Sequence, residues 1–106
     1  MNNILFVYLS GRPCIVSDVL KDLVGAAVPL ATKQQRFLQL CEVTHPLHVA
    51  VEESALRQAL SNLIEGALLR TQIGGRVEVY ATAAPAGGAL VVIDDNGPDM
   101  HYMVKI

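Results

Sequence analysis

Apolar positions along this chain change period several times, and each change marks an element. Between Ser54 and Thr71, Leu56, Ala59, Leu60, Leu63, Ile64, Ala67 and Leu68 recur at helical spacing and form one broad face. Gln58, Ser61, Asn62 and Glu65 fall on the other face, and Gly74-Gly75 supplies a stop. An earlier stripe of Val19, Leu20, Leu23, Val24, Ala27 and Val28 predicts another helix. Ser17-Asp18 would begin it, because short polar side chains there accept from free backbone amides. Gly25 and Pro29 weaken or kink its end, after which it resumes through Ala31 to Gln35.

Elsewhere the period falls to two. Phe37 to Val43 alternates imperfectly, Thr44-His45-Pro46 turns the chain, and Leu47, Val49 and Val51 alternate with His48 and Ala50. Val77, Val79 and Ala81 then oppose Glu78, Tyr80 and Thr82. A flexible loop, Ala83 to Gly88, leads to the continuous apolar strand Ala89 to Ile93, expected to be buried on both faces or nearly so. Ile4 to Leu9 reads as an edge strand or frayed tail, and Gly11-Arg12-Pro13 as a break. The short links predict a two-layer α/β sandwich: a mainly antiparallel, four-stranded sheet with both helices on one face. Three segments follow: a tail or edge strand over 1–12, the domain over 13–100 and a short tail over 101–106.

Composition narrows the function without naming it. A chain of 106 residues makes one domain, burying roughly 65% of the surface its unfolded form exposes. Its 52% apolar and 17% charged content excludes disorder. A net charge of −2, with no Lys/Arg cluster or aromatic ladder, argues against nucleic acid and gives no attraction to anionic membranes. The apolar start is too short to span a bilayer and lacks the basic flank and cleavage site of a signal peptide. Cys14 and Cys41 lack metal spacing and read as free thiols in a reducing, intracellular compartment, with one disulfide as the alternative.

Candidate chemistry gathers late in the chain. Asp95-Asn96-Gly97-Pro98 puts a carboxylate at a strand end, beside a glycine that lets a backbone approach closely. Such a carboxylate accepts hydrogen bonds from an amino group on a planar ligand, although the tetrapeptide is also an excellent turn. Asn62 and Glu65 on a polar helix stripe suit a hydrated Mg²⁺ with phosphates, and equally an ordinary solvated face. Gly66 is unusual, because a mid-helix glycine costs about 1 kcal/mol relative to alanine. His45, His48 and His101 show no metal spacing, and no Ser, Cys or His has a nucleophile setting, so no catalytic or metal-ligating residue is assigned.

Together these blocks resemble the histidine-kinase-type ATPase domain, the ATP-binding module of two-component sensor kinases, related to the gyrase and heat-shock-protein-90 ATPases. That family places a helix of the form L-R-Q-x-L-x-N-L-x-x-N-A-x-K-x-T before G-G-x-V-x-V, then a strand ending in D-x-G-x-G. Leu56-Arg57-Gln58, Leu60, Asn62-Leu63, Ala67, Thr71 and Gly74-Gly75-Arg76-Val77-Glu78-Val79 match in register, as does Asp95-Asn96-Gly97. The resemblance covers roughly 13–100. The wording of Ala84-Pro85-Ala86-Gly87-Gly88 and of Asp94 to Met100 is most similar to plant chloroplast sensor kinases, which implies a chloroplast location.

The resemblance implies that Asp95 meets the adenine amino group, Gly97 provides the backbone turn beside the base, and Asn62 lies near the phosphates. The family's second Asn, its main Mg²⁺ ligand, falls at Gly66, its Lys at Leu69 and its second glycine at Asp99. Gly66 offers no ligand, which puts Mg²⁺ in doubt while leaving ATP as the expected cofactor. Leu69 removes a cation, which Arg70 would replace from a different direction. Asp99 adds charge near an anionic ligand, at about 2–3 kcal/mol for one pair 6–8 Å apart at an effective dielectric near 20.

The family's later pieces, a Phe-containing helix, a lid and a second glycine-rich box, have no counterpart after Met100, nor is there a phosphoacceptor-type His helix. The expectation is therefore the adenine-nucleotide-binding part of a sensor histidine kinase-like protein, with weak or lost kinase activity. Its partners would be a sensor-kinase chain or response regulator. The alternative is a non-catalytic interaction module, self-associating or partner-binding, that keeps the fold without nucleotide. A further alternative is an unrelated α/β domain with chance motif matches.

Overall fold

The computed structural model describes residues 2–6, 9–95 and 101–106. Strands β1 (Asn2–Phe6) and β2 (Leu9–Ile15) precede helix α1 (Val16–Lys33), strands β3 (Phe37–Val43) and β4 (His48–Val51), and helix α2 (Glu53–Arg70). Strands β5 (Arg76–Ala83), β6 (Ala89–Asp95) and β7 (His101–Lys105) follow. A five-stranded sheet has the order β1-β7-β6-β5-β3, and β2 pairs with β4 in a separate two-stranded sheet. Ladders β5–β6, β6–β7 and β2–β4 are antiparallel, whereas β1–β7 and β3–β5 are parallel.

The two-layer α/β sandwich expected from the sequence is present, with both helices on one face of the larger sheet. Burial alternates along β5 and β6: Val77, Val79, Ala81, Ala89, Val91 and Ile93 are buried, while Glu78, Tyr80, Leu90 and Val92 are half-buried. The continuous apolar run of β6 is therefore buried on one face and half-buried on the other, short of full burial on both. Leu20 and Val24 of α1, and Leu56, Leu60, Ile64 and Leu68 of α2, close the core over that inner face.

The four-stranded sheet is corrected. Leu47 to Val51 was expected to join the main sheet, but β4 leaves it for β2, in register Cys14↔Val49 and Ile15↔His48. Val16 N–H donates to Leu47 O at 2.8 Å, which ties this small sheet to the start of α1. The break expected at Gly11-Arg12-Pro13 lies inside β2, where the register shifts between Leu9 and Pro13. A bulge is where a strand accommodates proline's missing donor. Within 101–106, expected as a short tail, His101–Lys105 form β7, and Ala89 and Ile106 extend its pairing with two backbone bonds of 3.0 and 2.8 Å. Gly88, at φ 79°, has no room for a Cβ because the Ile106 carbonyl backs directly onto it.

Ser17 does not cap α1. The N-cap position is held by Ile15 without a side-chain bond, and Ser17 sits inside the first turn, its hydroxyl 2.8 Å from His45 Nδ1. Pro29 lies within an unbroken helix. The residue whose carbonyl its ring meets is Gly25, exposed with open space around it, so water can take that carbonyl. The end of α1 is a Schellman motif. Arg36 N–H reaches Ala31 O at 2.9 Å, Gln35 N–H reaches Thr32 O at 3.0 Å, and Gln35 takes the left-handed conformation at φ 61°. Helix α2 is capped by Glu52, whose carboxylate accepts from the Ser54 and Ala55 amides at 3.2 and 2.7 Å. That places negative charge at the positive end of the helix dipole.

Candidate functional site

The end of the molecule where β6 finishes is assembled by main-chain bonds. Gly74 N–H donates to Gln35 O at 2.8 Å and Phe37 N–H to Gly75 O at 2.9 Å, so the loops after α1 and α2 hold each other. Arg36 completes the joint: its Nε donates to Thr71 O at 2.7 Å and its Nη1 to Gln34 O at 3.1 Å, covering the last carbonyls of both helices. Thr71 turns its hydroxyl back to Ala67 O at 2.8 Å and is buried. This joint fixes where β5 begins, and Val77 of β5 is the register partner of Asp95.

Asp95 is the last residue of β6, and the strand's alternation puts it on the inner face with Val91 and Ile93. It is 6% exposed, and its Oδ2 is sealed from solvent. Its neighbour Asp94 points to the outer face, opposite Glu78. A carboxylate placed between sheet and helices, rather than on the surface, offers a directed acceptor in a low-dielectric setting. Gly97, with Asn96, Pro98, Asp99 and Met100, lies outside the described residues.

Asn62, Gly66 and Arg70 follow each other at intervals of one turn on α2, with Asn62 and Arg70 exposed. Arg70 folds back over Gly66: a Cβ built on Gly66 would lie 3.0 Å from Arg70 Nη2 and 3.4 Å from Nη1. The guanidinium thus takes the space a side chain at position 66 would use. Glu65 also lines a groove of about 220 Å³ between the helices, with Leu30, Gln34, Leu68 and Leu69. Its contact with Ser61 Oγ is long, at 3.4 Å.

A wider groove of about 610 Å³ opens on the outer sheet face, away from Asp95, beside Cys41, Thr44, Tyr80, Thr82, Leu90 and Val92. Cys41 Sγ donates to Glu78 Oε2 at 3.4 Å. Burial and the Glu78 bond push the Cys41 thiol up, and the bond to Cys41, with desolvation, pushes the Tyr80 hydroxyl up to about 12. A thiol held protonated is a poor nucleophile. Both cysteines are free, with Cys14 buried. Among the described residues no group of three His, Cys, Asp or Glu is arranged to hold a metal ion.

The chain is 64% identical to the chloroplast sensor kinase of Arabidopsis thaliana over 95 residues, 90% of its length. The chain belongs to the histidine-kinase-type ATPase domains. It spans 16% of that relative's length. The catalytic domain of histidine kinase ThkA, in a nucleotide-free form, shares the fold with a TM-score of 0.76 at 15% identity, over 87% of this chain and 62% of that one. Full-length ShkA in complex with AMPPNP matches with a TM-score of 0.73 at 24% identity, over 87% of this chain and 20% of that one. No family model matches the chain.

Against the pattern of this ATPase domain, the position that would supply a divalent-metal ligand is Gly66, and the Arg70 guanidinium occupies its side-chain space. Those residues do not fit a bound Mg²⁺: a donor is missing and a fixed positive charge stands in its place. Sequence reasoning missed Arg36 and Glu52. The Glu52 cap had a local signal, an acidic residue immediately before a helix, whereas the Arg36 contact depends on a partner 35 positions away.

Proposed function

We propose that this chain is the adenine-nucleotide-binding part of a sensor histidine kinase-like protein in two-component signalling, with Asp95 as the acceptor for the adenine amino group. Buried Asp95 at the end of β6 carries this reading, on a fold shared with the kinase catalytic domains. Asn62 and Arg70 are read as the phosphate end and ATP as the nucleotide expected, while Gly97, which the resemblance sets beside the base, lies outside the described residues. Phosphoryl transfer from this chain is weak or lost, because Gly66 and Leu69 stand where the family places phosphate-side groups. The response regulator and any kinase partner chain are those of the larger protein, located in the chloroplast as its relative's name states.

The test is calorimetric titration with adenosine and inosine. A carboxylate that accepts from the amino group should favour adenosine. Asp95→Ala should weaken adenosine by about 10- to 150-fold, the equivalent of about 1.5–3 kcal/mol for a hydrogen bond to a charged group. Equal binding of adenosine and inosine, or an unchanged affinity in Asp95→Ala, would refute the assignment.

A second reading, an interaction module without nucleotide, is favoured by one observation. Leu30, Phe37, Leu69 and Ile73 are exposed large hydrophobics on the ends of α1 and α2 and the segments that follow them, with Phe37, Leu69 and Ile73 at 64%, 72% and 68%. Exposed apolar patches of this kind mark association surfaces. Concentration-dependent sedimentation of the intact chain, weakened by Leu69→Lys, would support it, and a monomer at all concentrations would oppose it.

A further inference from the structure

We propose that the Arg70 guanidinium, lying over Gly66, replaces the divalent cation of this site, so that the chain takes the phosphates of an adenine nucleotide without metal. The inference rests on the nucleotide-binding reading and adds how the phosphate end is held. Its basis is the distance from the Gly66 Cβ position to Arg70 Nη2, 3.0 Å, with Nη1 at 3.4 Å and Cζ at 3.5 Å. A Cβ at position 66 would sit in tight contact with the far end of Arg70, which would have to yield by a few tenths of an ångström, so glycine leaves the guanidinium free to lie directly over this turn of the helix.

The guanidinium suits this role. It is planar, permanently charged and presents paired N–H donors that match two phosphate oxygens at once. Asn62, one turn before Gly66 and two before Arg70 on α2, would add an amide donor. No described group of three His, Cys, Asp or Glu competes by assembling a metal site. A cation brought close to Arg70 would meet like charge, so added Mg²⁺ should compete with the site for phosphate rather than complete it.

Calorimetry on the full chain, in EDTA and in excess MgCl₂ at matched ionic strength, with adenosine, ADP and ATP, tests the inference. ADP in EDTA should bind at least about 10-fold more tightly than adenosine, the ratio expected for a charge-assisted phosphate contact. Mg²⁺ should leave that ratio unchanged or lower it. Arg70→Ala should abolish the advantage of ADP over adenosine. Gly66→Asn should reduce it in EDTA and make it recover with Mg²⁺. Circular dichroism checks that each variant folds, and Arg70→Gln serves if Arg70→Ala does not. Adenosine binding with no advantage for ADP in EDTA, or an advantage that survives loss of Arg70, overturns the inference and leaves the adenine site standing. If adenosine itself fails to bind, the nucleotide reading falls and this inference falls with it.

Discussion

Replacing Arg36 by Met should loosen the whole end of the molecule that carries Asp95. The substitution keeps most of the apolar stem and removes the guanidinium, which donates to Thr71 O at 2.7 Å and Gln34 O at 3.1 Å. Hydrogen bonds from a charged donor contribute about 1.5–3 kcal/mol each when their loss leaves a partner unsatisfied. Both contacts are only part-buried. The ordinary net value of about 1 kcal/mol per bond therefore applies, about 2 kcal/mol for the two together. For a domain of this size that is a fall in Tm of about 8–15 °C. Urea unfolding followed by far-ultraviolet circular dichroism should show a lower midpoint with an unchanged slope, the mark of lost stability rather than altered compactness. Arg57→Met is the control: its bonds to Asp22 and Glu53, both 3.1 Å, are exposed, and its loss should cost no more than about 1 kcal/mol. The reasoning is refuted if Arg36→Met lowers Tm by less than Arg57→Met does.

Two further outcomes follow from local chemistry. Gln35→Gly should stabilise the chain by about 0.5–1 kcal/mol, because Gln35 holds φ 61° at the end of α1 and glycine adopts that region without a Cβ penalty; a lower urea midpoint would contradict it. Alkali should destabilise. Tyr80 ordinarily titrates at 10.0 and is raised to about 12 in the folded chain, so its contribution is complete below pH 10 and disappears as pH climbs through 12. Cys14 and Cys41, raised from 9.0 mainly by burial, act in the same direction from about pH 9 upward. Thermal melts between pH 8 and 12 should show a flatter upper limb in Tyr80→Phe, and identical limbs would remove the Tyr80 argument.

Elements whose signal is local were legible. The bounds of β3 agree at both ends, α2 agrees to a residue, and the β5–β6 hairpin follows from period-two alternation around a glycine-rich loop. What escaped was pairing. Nothing in Leu47 to Val51 says that its partner is Cys14 to Ile15 rather than β3, since an alternating strand fits any edge of suitable register. The proline in α1 misled because a carbonyl that water can reach tolerates what a buried one would not. At the site, a carboxylate at the end of β6 was legible, but its inward side was not, because Ala89 to Ile93 is apolar throughout, and the placement of Arg70 did not follow from spacing either. It is a side-chain conformation in close contact with the space a Cβ at residue 66 would take.

The parallel pairing of β1 with β7 has a temporal side. Asn2 finds its partner in His101, and Phe6 in Lys105, so a strand near the start of this stretch completes its hydrogen bonds only when residues 101–105 have been made. At a synthesis rate of about 5–20 residues per second, that strand waits roughly 5–20 seconds with its ladder unfilled. Meanwhile α1, the β2–β4 pair and the β5–β6 hairpin can all assemble from chain already present. On a ribosome the outer edge of the larger sheet is thus the last part to close. Only in the last ten residues of that interval, roughly 0.5–2 seconds, does the side of β6 that will receive β7 offer backbone groups to a chaperone or a neighbouring nascent chain.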